Sequence, residues 1–243
     1  MTLPDQTLES ALGEISPVRI IPHDLNRENL VLFDFTNDNP ELQDMDVSGT
    51  RQFTRYIFQK LNEKNSRVGI GKYNENRTIY DNSAVFDSSG SQGQRRSLHI
   101  GLDLWVAAGT PVLAALKGHV HSFQDNRAFG DYGPTIILEH QLKGISFHTL
   151  YGHLNRKSLE NLEKGLKVRA GQEIARVGDI HENGQWPPHL HFEIVRDLQG
   201  KEGDFPGVCA VKDRQKYLSL CPDPNLLLKI KALDGLAGCA CCR

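Results

Sequence analysis

The chain lacks the markers that most often classify a protein at sight. Its five cysteines include no CxxC pair and their number is odd, so neither a disulfide framework nor a zinc ribbon is indicated. Cys209 and Cys221 stand alone, while Cys239, Cys241 and Cys242 crowd the last residues and read as a frayed tail. Reduced thiols in a cytoplasmic protein are the expectation. No apolar run approaches the roughly 18 residues of a membrane span. The opening Met1-Thr2-Leu3-Pro4-Asp5-Gln6 has no basic region followed by an apolar stretch, so no secretory signal is visible. There is little net charge: 28 basic and 30 acidic residues, intermixed, give −2. A nucleic-acid partner, which needs a clustered basic surface, is therefore not expected. There is also no HExxH helix, because His181-Glu182 is followed at position 185 by Gln.

What is present divides in two. Residues 1–90 mix signals and read as a small α/β segment. Val31-Leu32-Phe33-Asp34-Phe35, Val68-Gly69-Ile70-Gly71 and Thr78-Ile79-Tyr80 suggest strands. Thr50 to Lys64 predicts a helix, with Phe53, Ile57 and Leu61 four apart on one face. Ser88 to Gly93 is a loop by composition. From about residue 95 the texture becomes short β-like runs punctuated by glycine: Pro111–Ala114, Thr135–His140, His148–Tyr151, Glu173–Val177 and His189–Val195. One helix is expected near Ser158 to Glu163. This spacing predicts a mainly β sandwich or barrel. Val106-Ala107-Ala108-Gly109 before Pro111-Val112 is echoed by Val168-Arg169-Ala170-Gly171 before Glu173-Ile174. Each Ala-Gly step supplies a turn before a returning strand, and the two units are expected to face one another.

The chemistry concentrates at His99-Ile100-Gly101-Leu102-Asp103 and His189-Leu190-His191. On a strand, His189, His191 and Glu193 share one face, while Leu190, Phe192 and Ile194 share the other and anchor the core. Pro187 and Pro188 mark the strand's start. His99 and Asp103 would be roughly 13 Å apart on a straight strand, too far for one ion. Gly101 is therefore expected to mark a bulge or bend that turns both inward. A carboxylate, imidazoles and an open water position suit a hydrolytic zinc site. His119-Val120-His121 shows that HxH also arises elsewhere in this chain, where it is expected to be a polar strand face.

Three motifs occur together and in order: His99-x-Gly101-x-Asp103, Tyr151-Gly152-His153-Leu154, and Pro188-His189-Leu190-His191-Phe192-Glu193. With Ala108-Gly109-Thr110-Pro111-Val112 and Lys167-Val168-x-Ala170-Gly171-Gln172, they resemble the lysostaphin/LytM-type zinc metalloendopeptidases, peptidoglycan hydrolases of bacterial cell walls, over residues 95–197. The resemblance implies an antiparallel β-sandwich or β-sheet groove (a duplicated hybrid motif) with one zinc ion at its floor. It implies His99, Asp103 and His191 as zinc ligands, and His153 and His189 as a non-ligand catalytic pair acting on zinc-activated water. Glu193 is placed better as an outer partner than as a ligand.

Departures from the family bear on substrate. The export signal usual in relatives is not visible, so a cytoplasmic location is expected, with the cell envelope as the family's alternative. The loop Asp179 to Pro188, with Trp186, is bulkier than the usual Gly/Ser-rich segment, and Trp186 is expected either to line a wall or to pack. The stretches 71–77 and 203–225 flank the core and resemble a branch whose peptidase-like module is fused to aminotransferase or kinase-like domains. Residues 198–243 form a C-terminal extension. Residues 1–90 could cover the groove as an inhibitory segment, with His23 or an Asn available to reach the metal, although simple packing accounts for them too. The expected partner is a peptide or peptidoglycan. The competing readings are a non-enzymatic scaffold or regulator of cell-wall hydrolases that retains the metal site, and a lipoyl- or biotinyl-like carrier, for which no exposed Lys motif occupies a hairpin tip.

Overall fold

The computed structural model describes residues 7–43, 49–80 and 95–235. The loop expected at Ser88–Gly93 and the cysteines at 239–242 lie outside these residues. Helix α1 (Leu8–Gly13) starts at Thr7, whose hydroxyl accepts from the Ser10 amide. Strand β1 (Leu30–Phe33), the short helix α2 (Pro40–Gln43) and helix α3 (Thr50–Glu63) follow. Phe53, Ile57 and Leu61 all lie on the buried side of α3, as their spacing predicts.

Next come β2 (Val68–Gly71), β3 (Glu75–Asn76), β4 (Arg96–His99), β5 (Leu102–Trp105), β6 (Pro111–Leu113) and β7 (Gly118–Asn126). They are followed by β8 (Gly133–Leu142), β9 (Ile145–Gly152), β10 (Lys167–Val168), β11 (Glu173–Arg176), β12 (His189–Val195) and β13 (Val208–Ala210). Helices α4 (Arg214–Leu220) and α5 (Asn225–Leu228) follow.

The fold is mainly β. Eight strands form one sheet in the order β1-β2-β5-β12-β9-β8-β7-β10, antiparallel throughout except for the β1–β2 pair. Strands β13-β4-β3 make a second, three-stranded sheet, and β11-β6 a third of two strands. The Ala-Gly echo explains that third sheet. Gly109 and Gly171 both take left-handed φ values, 81° and 72°, which favour glycine. The strands that follow them pair with one another.

One face of the large sheet buries Leu102, Leu104, Leu190, Phe192 and Ile194 together with Val112 and Ala175 of the two-stranded sheet and Ala114 just after β6. Leu8, Leu12, Ile20 and Ile21 from the N-terminal region and Leu227, Leu228 and Ile230 from the C-terminal region enter the same core. A second cluster packs α3 against β1 through Phe33, Phe35, Phe53, Ile57 and Trp105. Neither flanking region is therefore an independent layer.

Two local expectations are corrected. Thr78-Ile79-Tyr80 is a turn rather than a strand; the Thr78 amide donates to the Phe35 carbonyl and Tyr80 packs beside Arg77. The helix expected at Ser158–Glu163 is a single 3-10 turn, Arg156–Leu159, capped by Asn155. Asn161, at φ 58°, is incompatible with continued helix.

Candidate active site

His191 lies at the centre of a cross-strand row. It sits directly opposite Asp103 on β5 and opposite Gly152 on β9. His99 reaches the same point from the neighbouring sheet, because the chain leaves β4 at His99 and enters β5 at Leu102. The bend at Gly101 predicted from the sequence is thus a change of sheet. Only glycine fits there: a Cβ would lie 2.3 Å from Cε1 and 2.5 Å from Nε2 of His191.

The three side chains converge closely. His99 Nε2 is 3.1 Å from His191 Nδ1 and 3.2 Å from Asp103 Oδ1, and His191 Nδ1 is 3.0 Å from Asp103 Oδ1. Tetrahedral ligands on bonds of about 2.0–2.1 Å stand roughly 3.3 Å apart. This triangle therefore fits one small metal ion with little adjustment, and its nitrogen and carboxylate donors suit zinc.

The remaining atoms of these groups are held. His99 Nδ1 donates to the Lys72 carbonyl at 2.9 Å. His191 Nε2 faces the Glu193 carboxylate at 3.6 Å and the Tyr132 hydroxyl at 3.4 Å. Arg77 Nη1 donates to Asp103 Oδ2 at 2.6 Å, leaving Oδ1 toward the two imidazoles. Outer partners of this kind fix tautomer and orientation in metal sites.

Two more histidines stand beside the triangle. His189 Nε2 is 3.9 Å from Asp103 Oδ1, and its Nδ1 donates to the Pro187 carbonyl at 2.7 Å. His153 Nδ1 donates to the Asn183 carbonyl at 2.8 Å. Their ring centroids are 4.1 Å apart, and Trp105 stacks on the far side of His189, also at 4.1 Å. With each Nδ1–H committed to a carbonyl, each Nε2 carries the lone pair. His153 holds a left-handed φ of 60°, a strained position for a side-chain-bearing residue. Its amide donates to Tyr132 and its carbonyl accepts from Gly178, which together secure that conformation.

Residues 97–204 match the sequence profile of Peptidase family M23. That segment is a peptidase family M23 domain. The chain is 35% identical over 96 residues to an uncharacterized metalloprotease of Haemophilus influenzae, a match covering 40% of this chain and 18% of that protein. It is 26% identical over 168 residues to an L-Ala–D-Glu endopeptidase of Bacillus subtilis, covering 66% of this chain and 49% of the relative. The chain thus spans less than half the length of either relative. Among solved structures it is similar to the catalytic domain of lysostaphin from Staphylococcus simulans, at 25% identity and a TM-score of 0.40, over 70% of this chain and 96% of that one.

All five residues singled out in the M23 motifs, His99, Asp103, His153, His189 and His191, line one cavity of about 140 Å³. Its walls also include Trp186, Tyr80, Tyr132 and Arg96. Trp186 combines the two roles weighed for it, lining the cavity while packing edge-on against Tyr80 and Phe53. His23 is elsewhere, beside Glu28. Among the described residues, the N-terminal region contributes Arg77, Ile79 and Tyr80 to the cavity.

The electrostatics favour neutral imidazoles at His99, His153 and His189. Burial lowers His99 and His189 to about 4, and lowers His153 well below its ordinary value, with His189 adding to the effect. Burial alone would raise Asp103, but His99 and Arg77 hold it well below the usual carboxylate range. His191 is raised: burial opposes its charge, yet the hydrogen bond to Asp103 and the Glu193 carboxylate prevail.

Arg77, Lys72, Tyr132 and Asn183 were not anticipated as parts of the site. Arg77 is fully buried, lies over the Phe35 ring at 5.1 Å, and also bonds Glu75 and Tyr80. It lies outside the residues matching the family, and its only local signal is that a base and an acid two apart, Glu75 and Arg77, point the same way along extended chain.

Proposed function

We propose that this chain is a zinc-dependent metalloendopeptidase that hydrolyses peptide bonds in peptidoglycan cross-links or a related peptide. In this reading His99 Nε2, Asp103 Oδ1 and His191 Nδ1 hold one zinc ion, and His153 and His189 act on the substrate without binding the metal. The observation that carries it is the 3.0–3.2 Å donor triangle set beside two imidazoles whose Nδ1–H groups are already committed.

When bound, zinc supplies Lewis acidity, polarising a carbonyl oxygen and making water acidic enough to ionise near pH 7. The chain's own residues supply the rest. Nε2 of one member of the His153/His189 pair accepts the proton of the attacking water. That proton then passes to the leaving amine as the C–N bond breaks, from the same Nε2 or by way of the other member of the pair, so both imidazoles end the cycle neutral. Their lowered pKa values keep both neutral and able to accept at physiological pH. Asp103 remains a ligand rather than a base because both of its oxygens are committed.

The support for a cell-wall peptide is the relative named as an L-Ala–D-Glu endopeptidase. The cavity adds a mixed lining suited to a peptide: Arg96 with Asp131 and Asp204 for charged or polar groups, and Trp186 with Tyr80 for apolar ones. The test is incubation of the zinc-loaded protein with isolated muropeptides and a panel of glycine-containing peptides, with products identified by mass. The expected outcome is a pair of product masses that locates one scissile peptide bond. Intact substrates in the presence of stoichiometric zinc would contradict the reading.

A further inference from the structure

The second HxH of the chain, expected to be a polar strand face, does not stand alone in the structure. His121 on β7, Glu139 on β8 and His148 on β9 bring one ligand atom each to within 4.8 Å of one another on adjacent strands. We propose that His121, Glu139 and His148 form a second transition-metal site, with His119 as the fourth donor.

The sheet builds this cluster by register. Glu139 lies directly opposite His148 on one side and His119 on the other. The β7–β8 register shifts between Val120 and Ser122, so His121 is the extra residue of a bulge. Bulges re-aim a side chain, and this one brings His121 alongside its neighbours. The His121 and His148 rings meet edge to face with centroids 5.0 Å apart. His119 Nε2 is 3.3 Å from Glu139 Oε2.

The donors are oriented from outside as well. An Nδ1–H on His121, donated to Ser122 Oγ at 2.8 Å, leaves Nε2 with its lone pair. Ser122 is itself buried and accepts from the Gly203 amide. Ser146 donates to Glu139 Oε1 at 3.1 Å, so the other carboxylate oxygen faces the histidines. Imidazoles with one carboxylate select zinc, copper or nickel over calcium or magnesium. Ligand atoms as much as 4.8 Å apart must draw in by up to about 1.5 Å to share one ion. The three side chains are only partly buried, which leaves room for that adjustment.

The site is separate from the one proposed as catalytic. His148 stands four residues before Gly152 on β9, roughly 14 Å along the strand. An ion there would tie β7, β8 and β9 together at the end remote from His153.

The test is metal stoichiometry on the full chain. Metal-free protein is titrated with zinc against a chromophoric competitor, and retained metal is counted by elemental analysis after desalting. Wild type should hold two equivalents. His121→Gln/His148→Gln should hold one and keep full hydrolytic turnover on any cleaved peptide. His191→Ala should also hold one, and its combination with Glu139→Gln should hold none. If the double His variant fails to fold, His121→Gln alone, altered only at the bulge, should weaken the second equivalent at least about tenfold. A single equivalent in wild type at tens of micromolar free zinc would overturn the proposal. So would a second equivalent undiminished by His121→Gln. Loss of hydrolysis in His191→Ala speaks to the catalytic site alone, so the two assignments fail independently.

Discussion

Arg77 donates to the Asp103 oxygen that faces away from the histidines, and the same guanidinium donates to the Lys72 carbonyl that also receives His99. One buried arginine thereby fixes the carboxylate directly and the imidazole through a shared carbonyl. Replacing it with Met should weaken zinc binding about 10–100-fold, as expected for loss of an outer partner. It should also destabilise the fold by about 3–5 kcal/mol, because Asp103 and Glu75 lose their buried counter-charge. Arg77→Lys should recover part of the stability but not the affinity, since an ammonium cannot reproduce the fork. Zinc titration and thermal melts check both; unchanged affinity in Arg77→Met would refute the positioning role.

Gly101→Ala should separate metal binding from folding. The new methyl would collide with the His191 ring and crowd the Phe192 carbonyl oxygen at 3.0 Å, displacing the ring from the position in which Nδ1 meets Asp103. Zinc retention should fall at least tenfold while secondary structure by circular dichroism stays near wild type. A variant that retains zinc normally would show that the ring can move.

Stability should depend on pH through His140. Its Nδ1 donates to the Lys117 carbonyl at 2.9 Å and its Nε2 accepts from the Thr149 hydroxyl at 2.7 Å. Burial lowers its pKa to about 4, against about 6.5 in an unfolded chain. The neutral form is favoured in the fold, so the unfolded chain binds more protons between these values. The contribution is complete above pH 6.5 and is lost as pH falls toward 4, on the order of 3 kcal/mol. His140→Leu should be less stable at neutral pH, yet its melting temperature should fall less steeply from pH 6.5 to 4. Equal slopes in denaturant or thermal titrations would rule the effect out.

Removing residues 1–76 should abolish folding rather than release activity. Strand β2 lies between β1 and β5 in the main sheet, and Leu8, Leu12, Ile20 and Ile21 are buried in its core. The truncated chain is expected to be insoluble or to lack a cooperative melt. A soluble, more active product would instead mark this region as an inhibitory cover.

Much of the site was legible because its information is local. The alternation in His189–Val195 places histidines and Leu190, Phe192 and Ile194 on opposite faces, and β12 spans those residues. The i, i+4 apolar spacing of α3 and the paired Ala-Gly turns are local for the same reason. The rest depends on long-range pairing. Arg77 is 26 residues from Asp103, with no periodicity linking them, and His121 meets Glu139 and His148 only through a bulge and two strand registers. The Thr78–Tyr80 turn is hidden in the sequence because a β-branched and aromatic run is equally compatible with a strand, and what bends it is the inward-facing Arg77.

The central claim is that His99, Asp103 and His191 hold the metal while His153 and His189 do chemistry without holding it. The direct test compares catalytic-site zinc and hydrolysis in purified His191→Ala and His153→Ala, using His121→Gln/His148→Gln as the common background so that only one site is counted. The account predicts that His191→Ala loses both zinc and hydrolysis, whereas His153→Ala keeps one zinc and loses hydrolysis by about 10²–10⁴-fold. Normal turnover in His153→Ala, or full zinc retention in His191→Ala, would contradict it.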